Sequence, residues 1–348
     1  MDKLNHLLKI YSNGHVIEYL TKVRHTLRPF IGDKRYSKLD SAIRHRTSRF
    51  TIVLENVGNP GNISAITRSC DAMGIHNIHL IENRSFLQDF TASQALTNDN
   101  VNSRAINSLT RQQHYIDQQQ QQQIQDNNSS SDSPLYKGGY AVSMGSEKWV
   151  NVVKHTNVSS CVDHLKEKGY SIWTSDLTER AFQFDKLVFQ SNNYNQLPNQ
   201  FKSIFNSINN NDANLSESIY NKYLIESNSI NSNSNSSNDD YIVREQEKIA
   251  LVFGNEVVGV SNELKEKSDQ TFFLPMSGMV QSFNVSVSVA MTLAYLKAQG
   301  ALNGNLSEFE KNLIFTKWHI DSLGDSDLIL KRYNIDPDQV QDYLKLIN

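Results

Sequence analysis

Three polar, glycine-rich stretches of this 348-residue chain hold the residues best suited to chemistry, and each follows a short apolar run. Glu55-Asn56-Val57-Gly58-Asn59-Pro60-Gly61-Asn62-Ile63-Ser64-Ala65-Ile66-Thr67-Arg68 comes after Phe50–Leu54. Gly254-Asn255-Glu256-Val257-Val258-Gly259-Val260 comes after Ile249–Phe253. Pro275-Met276-Ser277-Gly278-Met279-Val280-Gln281-Ser282-Phe283-Asn284-Val285-Ser286 comes after Thr271–Leu274. In open α/β sheets the ligand sits beyond the carboxyl ends of the strands, where such segments would lie. They offer a guanidinium at Arg68, a carboxylate at Glu256, amides at Asn62 and Asn284 and a hydroxyl at Ser282. A guanidinium keeps its proton up to a pKa above ~12, so Arg68 suits an anion or a developing alkoxide better than proton abstraction. Plainer roles stand beside these: Arg68 as an exposed helix residue, Asn62 as a turn or helix-start residue, Glu256 as a solvated carboxylate, and Ser282 and Asn284 as helix caps. No Walker loop and no G-x-G-x-x-G follows a strand, which counts against nucleotide hydrolysis and a dinucleotide site. No histidine or cysteine cluster has ligand spacing, so no metal is implied. Cys70 and Cys161, the two cysteines, do not make a disulfide framework.

The elements that must position these residues alternate. Strand-like runs at Phe50–Leu54, Ile78–Ile81, Tyr170–Thr174, Ile249–Phe253 and Thr271–Pro275 are interleaved with helical patterns at Ile63–Met73, Val158–Lys168, Leu264–Ser268 and Ser286–Gly300. Gly74 and Gly169 close the first two helices. The expected fold class is α/β with a mostly parallel sheet. Only 38% of residues are apolar, because the chain carries a Gln-rich insertion at 112–133 and an Asn/Ser-rich one at 191–245, neither able to bury enough apolar surface to offset its ordering entropy. The remaining blocks, 34–111, 136–189 and 246–325, together have single-domain size. Residues 1–33 read as an N-terminal extension and 326–348 as a C-terminal helical tail. A formal charge of −3 leaves no global basic excess, so a nucleic-acid surface must be local. Lys34, Arg35, Lys38, Arg44, Arg46 and Arg49 against Asp40 form such a patch just before the first polar segment. No apolar run reaches the roughly 20 residues that span a bilayer. The expected location is therefore cytoplasmic without membrane contact, with a mitochondrial transit peptide in 1–33 as the alternative.

The three segments, in this order, resemble motifs 1, 2 and 3 of the SPOUT class of RNA methyltransferases, in particular the TrmH family of tRNA/rRNA ribose 2′-O-methyltransferases. They read N-x-G-N-I-x-x-x-x-R, G-x-E-x-x-G and L-P-M-x-G-M-x-Q-S-x-N-V-S. Gly145–Val150, with the helix and strand that follow to Leu177, resembles the tRNA guanosine branch more than the rRNA branches. Trp318, in Leu313–Leu323, resembles that branch's C-terminal helix. The resemblance implies a deep C-terminal trefoil knot, S-adenosylmethionine bound within it, an obligate homodimer, and methylation of a tRNA guanosine at D-loop position 18. Alternatives are mitochondrial rRNA ribose methylation and a non-catalytic RNA-binding paralogue. It also implies catalytic roles for Arg68, Asn62, Glu256, Ser282 and Asn284, and cofactor contacts from Ser175, Gly254, Gly259, Leu274 and Phe283. At Phe283 the family more often has an aliphatic residue. Binding of tRNA falls to Lys34, Arg35, Lys38, Arg44, Arg46 and Arg49.

Overall fold

The computed structural model describes residues 14–82, 145–189, 241–243, 247–256 and 258–347. In chain order these form α1 (Gly14–Leu27), α2 (Asp33–Arg44), β1 (Phe50–Glu55), α3 (Pro60–Met73), β2 (Asn77–Ile81), β3 (Asn151–His155) and α4 (Val158–Glu167). Then come β4 (Tyr170–Ser175), β5 (Phe182–Gln183), β6 (Leu187–Phe189), β7 (Tyr241–Val243), β8 (Lys248–Phe253), α5 (Asn262–Glu266) and β9 (Gln270–Phe273). The chain ends with α6 (Val285–Ala298), α7 (Glu308–Asp321), α8 (Ser326–Arg332) and α9 (Pro337–Leu344). The insertion expected at 112–133 lies outside the described residues, as does most of 191–245. The exception is a correction: Tyr241–Val243, assigned to that insertion, pairs in parallel with Leu187–Phe189, and Val243 is fully buried.

The main sheet has seven strands in the order β3-β2-β1-β8-β4-β9-β5, every neighbouring pair parallel. All six residues of β1 are buried, as a strand covered on both faces must be. One face packs α3 and α6 through Ile63, Ile66, Cys70, Val289, Leu293 and Leu296 onto Ile52, Leu251, Phe253 and Phe272. The other packs α4 and α5 through Val158, Cys161, Leu165 and Leu264 onto Val53, Ile172, Ala250 and Val252. The strand order matters for function because it takes β1, β8, β4 and β9 from three separate sequence blocks and sets their carboxyl ends side by side.

Local chemistry explains the boundaries. Asn59 caps α3 by accepting from the Gly61 amide, Pro60 supplies the first-turn φ, and Gly74 ends the helix at φ 87°. Thr271–Pro275, expected as a strand, gives way to β9 ending at Phe273; residues 274–284 have no regular structure. The segment expected as an N-terminal extension contributes Leu20, Val23 and Leu27 of α1 to a satellite core with Phe309, Leu313, Leu330, Val340 and Leu344 of α7, α8 and α9. Leu39 and Ile43 of α2 join Ile314 and Trp318 of α7 in a further cluster. Among the described residues no helix is long and apolar enough to cross a membrane.

Candidate active site

Three of the expected catalytic residues are joined in one chain of hydrogen bonds that crosses all three polar segments. Asn62, in the first turn of α3, donates from Nδ2 to Glu256 Oε1 at 2.7 Å. Asn284 donates from Nδ2 to Asn62 Oδ1 at 3.3 Å. A carboxylate only accepts, so Glu256 fixes which way the Asn62 amide faces. Asn284 is also the N-cap of α6, its Oδ1 accepting from the Ser286 amide at 2.9 Å and the Ser286 hydroxyl at 2.6 Å. The capping and the site roles considered for Asn284 are therefore held by one side chain at once.

Beneath this surface chain lies a buried clamp that sequence reasoning did not single out. Glu55, the last residue of β1, accepts from the Ser261 amide at 2.8 Å and the Ser261 hydroxyl at 2.6 Å. Burial pushes the Glu55 carboxyl up from its ordinary value, and the two Ser261 bonds pull it back. Asn255 donates to the Asn56 carbonyl at 2.8 Å, and Asn56 takes the left-handed φ of 52°. The loop after β8 is thus bolted to the loop after β1, which places Glu256 over Asn62. The only available sequence signal was a Glu-Asn pair at a strand end, a pair that looks the same when solvated.

Arg68 stands apart. Six residues beyond Asn62 is about 240° around a helix, and Arg68 projects, exposed, from another face of α3. There it lines a cavity of about 940 Å³ with Lys34, Arg35, Lys38, Lys148 and Trp149. Ser282 is exposed and makes no hydrogen bond among the described residues.

The basic stretch divides. Lys34, Arg35 and Lys38 reach the Arg68 cavity, with the Arg35 guanidinium 5.2 Å from the Trp149 ring. Arg44 is exposed and pairs with Asp40 at 2.7 Å. Arg46 and Arg49 are buried, which corrects their assignment to an exposed RNA-facing surface, although Arg46 also forms part of the wall of the Arg68 cavity. α2 ends at Arg44, and the chain then dives into β1 carrying both with it. Arg46 is 2% exposed, paired with Asp71 and bonded to the Ile75 carbonyl at 3.0 Å. Arg49 lies 5.2 Å from the Phe50 and Phe189 rings and donates to the Glu247 carbonyl at 3.3 Å.

The residues expected to hold a cofactor meet at the carboxyl ends of the central strands. Ser175 ends β4, Gly254 follows β8, and Leu274 follows β9. Gly254 and Gly259 bracket a tight loop closed by paired backbone bonds between Asn255 and Gly259, at 3.0 and 2.9 Å. A Cβ on Gly254 would fall 2.3 Å from the Gly259 carbonyl carbon, and Gly259 sits at φ 71°. The backbone groups of 274–283 make no hydrogen bond with another described backbone group. With Leu274 and Phe283 half-buried beside them, these N–H and C=O groups suit a heteroaromatic ligand held by an apolar wall and a few backbone bonds.

A family model described as the SpoU rRNA methylase family matches residues 49–132 and 193–294, more than half of the chain. The chain belongs to the SpoU rRNA methylase family. Among its relatives, the tRNA (guanosine(18)-2′-O)-methyltransferase of Borreliella burgdorferi is 22% identical over 296 residues, covering 84% of this chain and 88% of that protein. The enzyme of the same name from Thermus thermophilus is 23% identical over 261 residues, 75% of this chain and 80% of that one. A solved structure described as an A. aeolicus TrmH/SpoU tRNA modifying enzyme superposes with a TM-score of 0.48 at 20% identity, over 84% of this chain and 98% of that one. Membership of the SpoU family agrees with the motif resemblance read from the sequence.

Proposed function

We propose that this protein is an S-adenosylmethionine-dependent tRNA (guanosine(18)-2′-O)-methyltransferase. The observation that carries the reading is the Glu256–Asn62–Asn284 chain, which unites the three family segments at the carboxyl ends of adjacent parallel strands. S-adenosylmethionine supplies an electrophilic methyl group. Ser175, Gly254, Gly259, Leu274 and Phe283 would hold it, mostly through backbone groups and apolar contact, at a C-terminal trefoil knot formed by the loops after β8 and β9. With the donor bound, the ribose 2′-oxygen would take the methyl as its bond to the sulfonium sulfur breaks, S-adenosylhomocysteine would leave, and the hydroxyl proton would pass to water. Arg68, on the other face of α3, contributes a fixed positive charge to the RNA backbone beside the reacting ribose. Asn62 and Asn284, locked by Glu256 and by the α6 cap, orient the ribose with Ser282, and positioning supplies much of the rate.

The tRNA lies along Lys34, Arg35, Lys38 and Arg44, next to Arg68. These cations engage backbone phosphates and make binding salt-dependent. The enzyme acts as a cytoplasmic homodimer. Support for a second copy comes from Met279 and Val280 in the third segment and Val287 and Met291 on α6, exposed apolar residues on that segment and the helix that follows it.

The deciding experiment gives the purified protein radiolabelled methyl donor with unmodified tRNA or with rRNA, and maps the modified nucleotide. Label on the 2′-oxygen of one D-loop guanosine, lost in Arg68→Ala, is the expected result. Label on a base would overturn the reading. Label on rRNA alone would move the substrate, and RNA binding without label would make the protein a non-catalytic paralogue.

A further inference from the structure

Far along the sheet from the three polar segments, the fold assembles a group of side chains that no sequence spacing announced. His79 of β2 and His155 of β3 lie on neighbouring parallel strands, where Ile81 is the register partner of His155. Residues 79 and 81 project to the same face of a strand, so both imidazoles point to the side covered by α4. From that helix Cys161 and His164, three residues apart and hence one turn above each other, face down onto them. One ligating atom each from His79, His155 and Cys161 lies within 4.8 Å of the others, and all three residues are buried. The His164 ring centroid is 5.4 Å from that of His79 and 5.5 Å from that of His155. Its Nε2 is buried and has no hydrogen-bond partner among the described residues.

We propose that His79, His155 and Cys161 form the core of a buried zinc site, which His164 completes by turning its ring inward, since its nitrogens lie outside the 4.8 Å group the other three make. Three imidazole nitrogens and one thiolate are a donor set that Zn²⁺ takes tetrahedrally, with bonds of about 2.0–2.3 Å and so about 3.3–3.7 Å between ligand atoms. His79 Nδ1 and His155 Nε2 already face each other at 2.9 Å. Without metal, one of these nitrogens must carry a proton and donate it to the other. Zinc takes both lone pairs, moves that proton to the ring's other nitrogen, and releases the Cys161 thiol proton to solvent. The site would staple the edge strand β3 to β2 and α4. It is independent of the methyltransferase reading, since none of its ligands comes from the three polar segments.

The chain has two cysteines, which makes a cobalt spectrum decisive. The full-length protein, stripped with chelator and titrated with Co²⁺, is expected to show one equivalent per chain with a thiolate-to-cobalt charge-transfer band, displaced by zinc. Cys161→Ser should lose the band while Cys70→Ser keeps it. His155→Asn removes a direct ligand, so it should weaken zinc binding by more than the roughly tenfold to hundredfold that loss of a ligand's hydrogen-bond partner costs, and abolish the zinc-dependent rise in Tm seen in the wild type. Circular dichroism of each metal-free variant separates loss of ligand from loss of fold. A folded wild type without the band, a band that survives Cys161→Ser, or equal zinc protection of His155→Asn would overturn the site and leave a hydrogen-bonded imidazole cluster.

Discussion

Arg44 and Arg46 sit two positions apart in one basic run and have opposite surroundings. The Arg44–Asp40 pair is exposed and lies within one helix, so Arg44→Ala should change the free energy of unfolding by no more than about 0.5 kcal/mol. The Arg46 guanidinium is interior, paired with Asp71 and 5.1 Å from the Trp318 ring. Truncating it strands a carboxylate and a buried carbonyl, and Arg46→Ala should cost about 3 kcal/mol in urea unfolding. For RNA binding the order reverses. Arg44→Glu should weaken tRNA binding and flatten its salt slope in filter assays, by about one unit for each phosphate no longer neutralised. Asn62 poses a second residue-scale question. Its bonds to Glu256 and Asn284 are at the surface, so Asn62→Ala should cost less than about 1.5 kcal/mol of stability. Methyl transfer should still fall at least about tenfold in kcat/KM, because a loss of about 1.4 kcal/mol of transition-state positioning is enough for that. Equal, small effects on both would make Asn62 a turn residue only.

Elements were legible where one face or both faces of a run had to be apolar. Phe50–Leu54 and Ile249–Phe253 appear as strands and are β1 and β8, and Ile63, Ile66, Cys70 and Met73 mark the buried stripe of α3. The three polar segments could be ranked from sequence because they follow such strands, and Asn62, Glu256 and Asn284 do meet. What stayed hidden is long-range. Nothing local shows that Glu55 is buried against Ser261, that Arg46 turns inward, or that His79 and Cys161 share a face. Short edge strands such as Phe182–Gln183 give too few residues for any periodicity. The loop after β8 supplies the prediction at this scale. A methyl group at Gly254 would meet the Gly259 carbonyl and the Val260 nitrogen at 2.3–2.4 Å, all backbone atoms that cannot step aside alone. Gly254→Ala should therefore open the Asn255–Gly259 turn, lower stability by about 1–3 kcal/mol and abolish S-adenosylmethionine binding in calorimetry. Gly278→Ala is the control in the third segment: a Cβ there meets nothing within 4 Å, and its stability should be unchanged.

Taken whole, the molecule is a parallel sheet with a helical annex, in which α1 and α2 from the start of the chain pack against α7 from near its end. Neutral histidines are buried inside the annex and at its seam with the sheet. His319 of α7 donates from Nδ1 to the Phe315 carbonyl, 2.7 Å away, and packs edge-on against Tyr36 of α2. Burial holds its pKa down to about 4, the nearby Arg24 and Arg28 charges adding to the effect. His76, just before β2, is lowered further, to about 3, by burial and then by Arg46 and by Lys317 of α7. Neither ring nitrogen of His76 has a hydrogen-bond partner among the described residues. The sign of the pH dependence follows from these shifts. An unfolded histidine takes up a proton below pH ~6.5 and the folded ones do not. The unfolded state therefore binds more protons as pH falls, and stability present above pH ~6.5 is lost toward pH 4 and below. His76→Leu removes that uptake while giving up no hydrogen bond to another described residue. Its stability relative to wild type should accordingly be about 2 kcal/mol more favourable at pH 5 than at pH 8, since 1.5 pH units below the unfolded pKa at ~1.36 kcal/mol each amount to that. Urea unfolding of both proteins at the two pH values measures the difference directly. A pH-independent difference would mean that His76 protonates readily in the folded state and that the seam is open to water.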